Sequence, residues 1–364
     1  MKIQDVTAWL NTAIPPMLQE SYDNSGFLVG DKDTGLKGIL LTVDVTEDVV
    51  DEAVEKGCNL VVAHHPIIFK GLKKLTGQGH VERTVEAAIK NNIAIYAAHT
   101  NLDSVDFGVS KMLADQVGLK NTKILEPRTG LLKKLATFCP VDYAEQVRKA
   151  VFEAGAGEIG EYGSCSFNLE GRGSFKPGEG TDPFVGEVNQ LHYEKEERIE
   201  TIYPVYLEKE VLKALFDAHP YEEVAYDIYP LDNVFEQVGH GMIGELEKEQ
   251  SAAAILKRIK QNIGTDCIRH TQAKTAKIKR IAVCGGAGSF LIDKAKKAGA
   301  DMFITADLKY HDFFEAEDNF VLADVGHHES EKYTKDLLNQ LIIKKFPNFA
   351  PTLSEIDTNP VNYL

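Results

Sequence analysis

The sequence predicts an α/β protein in which two similar α/β halves form a three-layer domain, interrupted by an α+β insert. Three observations carry this. Short continuous apolar runs alternate with helical periods from Leu36 to about Pro127. The same alternation returns after Lys277, and between the two stretches a glycine-rich segment breaks the rhythm. Alternating strands and helices predict βαβ units and a parallel-rich sheet covered by helices. At 364 residues, and at roughly 150 residues per domain, the chain is long enough for more than one domain.

In chain order, Gly38–Val43 reads as a strand, Asp48–Lys56 as a helix and Leu60–Ala63 as a buried strand. Val81–Lys90 follows as a helix, Ile93–Ala98 as a strand, and Val109–Val117 as a helix closed by Gly118,. In the middle, Leu131–Phe138 and a helical Tyr143–Glu153 precede nine glycines between Gly155 and Gly186, read as hairpin and loop,. A strand-like Tyr203–Leu207, a helix Glu210–Ala218 and the stretch His219–Tyr229 complete a ferredoxin-like α+β pattern,. Strands at Ile278–Val283, Met302–Ala306 and Phe320–Ala323 then alternate with helices at Ile292–Lys297 and Phe313–Glu317. Gly38–His65 and Lys279–His311 share one grammar: strand, helix with a late glycine (Gly57, Gly299), strand ending in histidine-bearing sequence. The expected domains are 1–128 and 235–364 as the two halves, and 129–234 as the insert.

The chemistry concentrates at strand ends. Leu60–Ala63 runs into His64-His65-Pro66, and proline stops a strand because it has no N–H for the ladder,. Open α/β sheets place ligands at carboxyl strand ends. Ile93–Ala98 leads to His99 and Asp103, Met302–Ala306 to Asp307 and His311, and the last strand to His327-His328 and Glu331. On a helix, His327 and Glu331 at i and i+4 lie about 5–6 Å apart at Cβ, close enough to share an ion. Imidazole and carboxylate without thiolate suit Zn, Fe or Mn in a catalytic site. His64, His65, Asp103, His327 and Glu331 make five candidate ligands, too many for one catalytic ion and suited to two bridged by a carboxylate. His99, His311 and His328 are candidates for acid–base or supporting roles.

Composition narrows the class. A formal net charge of -15 opposes unspecific nucleic-acid binding, which needs clustered Lys and Arg,. The first residues lack a basic segment followed by an apolar one, and no apolar stretch nears the ~20 residues that span a bilayer,. Five scattered cysteines without CxxC spacing read as reduced thiols,. A cytoplasmic protein is the expectation. The Cys284-Gly285-Gly286-Ala287-Gly288-Ser289 turn, between a strand and a helix, offers backbone amides to an anion or is simply a tight turn,. His80, His192 and His270 read as solvated, and His219 as structural.

Val61–Pro66, Ala97–Asp103 and Gly326–Glu331, with Tyr22-Asp23-Asn24-Ser25-Gly26 near the start, resemble the Nif-three-like family, often labelled GTP cyclohydrolase 1 type 2 homologues. The resemblance covers both outer segments, and the middle is similar to the PII/CutA-like domain of long bacterial members. It implies two similar α/β halves, a toroidal homohexamer built of trimers, and a dinuclear metal centre on His64, His65, Asp103, His327 and Glu331. The expected function is a metal-dependent hydrolase of GTP cyclohydrolase 1 type 2-like kind, acting on a nucleotide or other phosphate-bearing small molecule. The rival is a metal carrier, scaffold or regulatory protein without turnover.

Overall fold

A computed structural model describes residues 1–272, 277–316 and 320–364. Among these residues it is a mixed α/β structure with three sheets, and the chain divides into two compact units: residues 1–127 with 236–364, and residues 128–235. Along the chain the strands are β1 (Gly26–Val29), β2 (Ile39–Thr42), β3 (Leu60–Ala63), β4 (Ala94–Ala97), β5 (Lys120–Arg128) and β6 (Leu132–Pro140). They continue as β7 (Phe167–Phe175), β8 (His192–Pro204), β9 (Tyr226–Leu231), β10 (Phe235–Gln250) and β11 (Arg269–His270). The last four are β12 (Ile278–Ala287), β13 (Met302–Ala306), β14 (Val321–Asp324) and β15 (Thr352–Leu353).

In the first unit, one sheet has the order β1-β4-β3-β2-β15 and the other β11-β14-β13-β12-β10-β5. Strands β2, β3 and β4 are parallel and in step, with Thr42 opposite Ala63 and Ala63 opposite Ala97. Their carboxyl ends therefore fall at one level, which brings Asp44, His64 and His99 to the same sheet edge. Strands β12, β13 and β14 are likewise parallel, with Thr305 opposite Asp324. Every residue of β2, β3, β4, β13 and β14 is buried, which explains their unbroken apolar runs,.

Helices seal these sheets. Val49, Val50 and Ala53 of the helix Glu47–Glu55 pack with Leu40, Val61 and Ile95. Ile255, Ile259 and Ile263 of the helix Ala252–Ile263 pack with Ile281, Met302, Ile304 and Val321. Each such Val, Leu, Ile or Met side chain contributes about 1.5–3 kcal/mol by leaving water. Among the described residues, no helix is long and apolar enough to cross a membrane.

The second unit has one antiparallel sheet, β7-β8-β6-β9, with the helices Ala144–Glu153 and Glu208–Ala218. Its core joins Leu135, Val147, Val151, Ile199, Tyr203, Val211 and Leu215. His219 is buried here, with Nε2 3.0 Å from the Phe138 carbonyl and Nδ1 accepting the Tyr221 N–H.

Two local expectations are corrected. The segment expected to be a helix over Phe313–Glu317 is a 3-10 turn at Tyr310–Glu315, because Asp312 caps Lys309 N–H at 2.7 Å and tightens the chain into i→i+3 bonds,; Glu317 lies outside the described residues. The strand expected over Tyr203–Leu207 ends at Pro204, which has no N–H for pairing, and residues 205–207 form a 3-10 turn,.

Candidate metal centre

Glu331 is the hub of a histidine cluster in the first unit. It is 3 % exposed and ends the short helix His327–Glu331. Its Oε2 lies 3.0 Å from Nε2 of both His65 and His327. Its Oε1 lies 3.7 Å from Nε2 of His64, which is also 3.7 Å from Asp103 Oδ1. Ligand atoms of His64, His65 and Glu331 all fall within 4.8 Å of one another, the spacing of a group that could hold a metal ion.

Each imidazole is aimed by its other nitrogen. His64 Nδ1 is 2.7 Å from the Ala98 carbonyl, which can only accept, so Nδ1 carries the proton and Nε2 faces the cluster with its lone pair,. His65 Nδ1 is held 2.7 Å from Asp44, His99 Nδ1 2.7 Å from Asp23, and His327 Nδ1 2.7 Å from Asp307. Carboxylates and carbonyls behind ligating histidines fix the tautomer and raise basicity in metal sites. The His99 ring centroid is 5.4 Å from those of His64 and His65.

Gly286 shows how closely the end of β12 approaches the hub. Its φ is +61°, and a Cβ there would overlap Glu331 Oε1. The missing side chain of Gly286 is thus a clearance for the carboxylate. Two amides here are also engaged: Gly286 N–H donates to Ser330 Oγ at 2.9 Å and Gly285 N–H to Ser110 Oγ at 3.3 Å.

Electrostatics follow the burial. The carboxyl of Asp103 is pushed up by its burial and by the Glu331 charge. Burial raises Glu331 too, but His64, His327 and His65 outweigh it and hold the carboxylate well below its usual range. Burial lowers His64. It also disfavours charge on His65 and His327, yet carboxylates on both sides lift them, to about 10 through Asp44 and Glu331 and to about 9 through Glu331 and Asp307.

A divalent cation fits this donor set. His64 Nε2 and Asp103 Oδ1 are buried and, among the described residues, have no hydrogen-bond partner. Unpartnered buried polar atoms cost about 1–3 kcal/mol each, and these two face each other beside a carboxylate. An ion between them would satisfy both. Asp103 exposes 28 % of its side chain overall, so the sealed part is its inward oxygen.

The structure gathers His64, His65, Asp103, His327 and Glu331, and sets His99 against them. A cavity of ≈ 480 Å³ opens onto the cluster, lined by Tyr22, His99, Asp103, His240, Phe290, His327 and Glu331 among others. His328 does not line it. That ring faces a separate recess of ≈ 460 Å³, with Nδ1 3.9 Å from Asp44 and Nε2 3.7 Å from Asp357. His311 is exposed against Tyr310 and Phe314, and among the described residues no bond or ring contact joins it to the cluster. Nothing in the local sequence singles out Asp44, although it follows Thr42-Val43 at a strand end as His64 follows Ala63. Asp23 was visible only as part of a motif; nothing local marks it as the partner of a histidine 76 residues away.

Fold and cluster define a mixed α/β protein with a possible histidine–carboxylate metal site. The chain belongs to the Duf34/NIF3 (NGG1p interacting factor 3) family, whose model matches residues 1–360. It is 41% identical over 351 residues to a GTP cyclohydrolase 1 type 2 homolog of Bacillus subtilis, covering 94% of this chain and 93% of that protein. A protein of the same name from Staphylococcus epidermidis is 36% identical over 368 residues, with both chains fully covered. Among solved structures, a NIF3-related protein of Bacillus cereus superposes with a TM-score of 0.88 at 38% identity, covering 100% of this chain and 99% of that one.

Proposed function

We propose that this protein is a dinuclear metal-dependent hydrolase, with His64, His65, Asp103, His327 and Glu331 holding two divalent ions, Zn, Fe or Mn. One observation carries the reading: the two oxygens of Glu331 face different partners, Oε1 toward His64 and Oε2 toward His65 and His327. That disposition suits a carboxylate bridging two cations. When bound, such ions make a water molecule nucleophilic near neutral pH. The protein's own part is orientation, through Ala98, Asp44 and Asp307, and partial exclusion of water by the strand ends. His99, whose Nδ1 is anchored by Asp23 at the cavity wall, is placed to hold or pass a proton at Nε2,.

The relatives' name suggests GTP as substrate, and a nucleotide or phosphate-bearing small molecule is the proposed ligand class; opening of the purine ring would require attack at its carbon C8. The test is purified protein loaded with defined metal, assayed for formate release from GTP and against a phosphoester panel. Turnover that requires metal supports the hydrolase. Silence in both assays, with two ions bound, favours the second reading, a metal carrier or scaffold. That alternative draws on His327, whose side chain is 39% exposed and leaves the cluster reachable from solvent.

The finer architecture is part of the same proposal. Two related halves are supported by β2–β3 and β12–β13, each a parallel strand pair joined through a helix. A ferredoxin-like insert is supported by the element sequence β6, helix, β7, β8, helix, β9 with spatial order β7-β8-β6-β9,. A toroidal homohexamer is the proposed assembly, carried by family resemblance and tested by sedimentation.

A further inference from the structure

The second unit contains a recess of ≈ 450 Å³ remote in sequence from every residue of the metal cluster. That volume lies within the roughly 300–1,000 Å³ of small-molecule sites. Four of its walls are aromatic: Phe138, Phe175, Phe184 and Tyr221. The Tyr221 ring is flanked by Phe175 at 5.8 Å and Phe184 at 6.1 Å between centroids. Phe184 is 50% exposed, so it is a ring presented to the recess and not a core residue.

Carboxylates stand among these rings. Glu196 Oε1 accepts the Tyr221 hydroxyl at 2.9 Å, and burial and Glu196 push that phenol up, so it stays a donor. Gly173 lies within β7, and a Cβ there would overlap the Glu196 carboxylate. Glycine weakens a strand interior; here its absent side chain seats the carboxylate. Glu222 accepts the Asp182 N–H at 3.1 Å and 3.2 Å, tying the loop that carries Phe184 to the rim. With Glu223, three carboxylates and one cationic side chain, Lys176, line the recess.

The chemistry of this wall selects its ligand. Ring faces carry negative electrostatic potential and attract cations within about 6 Å of the centroid. The Arg198 guanidinium already lies 5.7 Å from the Phe138 centroid. An anion would be repelled by the carboxylates, and a neutral apolar ligand would gain nothing from their charge. We propose that this recess binds an organic ammonium cation, its charged nitrogen held by the faces of Phe175, Phe184 and Tyr221 and by the Glu196 carboxylate.

The test is isothermal titration of the full chain with choline and with its uncharged isostere 3,3-dimethylbutan-1-ol. Choline is expected to bind, and the isostere about tenfold more weakly. Phe184→Leu and Glu196→Gln should each weaken choline by about tenfold, with folding checked by circular dichroism. Phe184→Leu removes a half-exposed ring and keeps the test valid if Glu196→Gln fails to fold. Equal binding of the isostere overturns the proposal, as does choline binding unchanged in Phe184→Leu, or choline binding no tighter than about 10 mM.

Discussion

Asp44 Oδ1 lies 2.7 Å from His65 Nδ1, while the other oxygen of the same carboxylate accepts the Thr358 hydroxyl at 2.7 Å. One side chain therefore ties a histidine of the cluster to the C-terminal tail. The tail is itself pinned where Ser354 and Glu355 donate to Glu52. Asp44→Asn keeps the shape but removes the charge that orients and polarises His65. Metal affinity is expected to fall about 10–100-fold, measured by competition with a chelating dye. Thr358→Val should lower it less. Unchanged affinity in Asp44→Asn would show that His65 is not a ligand.

Glu331→Gln replaces one carboxylate oxygen by an amide nitrogen, which cannot coordinate as the carboxylate does or supply its charge. Elemental analysis of the variant should find fewer ions per chain than in the parent, where two are expected. The parent binding a single ion in metal-replete medium would remove the dinuclear reading. Equal metal in both proteins would remove Glu331 from the site.

Gly286→Ala separates backbone strain from clearance. Gly286 and Gly299 both have positive φ, at +61° and +74°, but of the two only Gly286 would bring a Cβ onto Glu331; at Gly299 no described residue lies within 4 Å. Both alanine variants should lose about 1–2 kcal/mol from the left-handed conformation. Only Gly286→Ala should also lose metal. Equal metal loss in both would mean that general destabilisation, not displacement of Glu331, empties the site.

The parts of this site legible in the sequence were those set by strand ends. His64 and His65 close a continuous apolar run and stop at Pro66, and His327 and Glu331 share one helical face, so local pattern sufficed. The supporting carboxylates were not legible in the same way. Asp307 stood out as a strand-end residue, but its pairing with His327 did not, and Asp23 and Asp44 reach their histidines across 76 and 21 residues, contacts that only the tertiary fold creates. His328 illustrates the opposite failure. Adjacency to His327 suggested the same cleft, but consecutive helical residues diverge, and it faces Asp44 and Asp357 from another recess,. The Cys284–Ser289 stretch, open in the sequence between an anion contact and a simple tight turn, continues β12 and has two of its amides taken by Ser110 and Ser330, partners invisible to a motif.

Removing residues 129–234 should leave the metal centre intact. All five proposed ligands lie in the unit formed by residues 1–127 and 236–364, and the flanking strands β5 and β10 are neighbours in one sheet. A short flexible linker should therefore close the gap at little entropic cost. A shortened chain that is folded by circular dichroism but binds no metal would show that the excised unit helps build the site.

Metal uptake should release protons, and the sign follows from the imidazoles. Without metal, His65 titrates at about 10 and His327 at about 9, so both carry a proton at pH 7. Coordination through Nε2 needs the unprotonated nitrogen, so binding must expel those protons and affinity must fall as pH drops. In metal-free protein the linkage runs the other way. Both folded values lie above the ordinary imidazole value of about 6.5, so their stabilisation is complete below that pH and is lost as pH rises through about 9 and 10,. Chelator-treated protein should thus melt earlier at pH 10 than at pH 7, and metal-loaded protein should lose less. Titration with metal in weak buffer containing an indicator dye counts the protons directly. A full complement of bound metal with no proton release would rule out His65 and His327 as the charged partners of Glu331 that metal displaces.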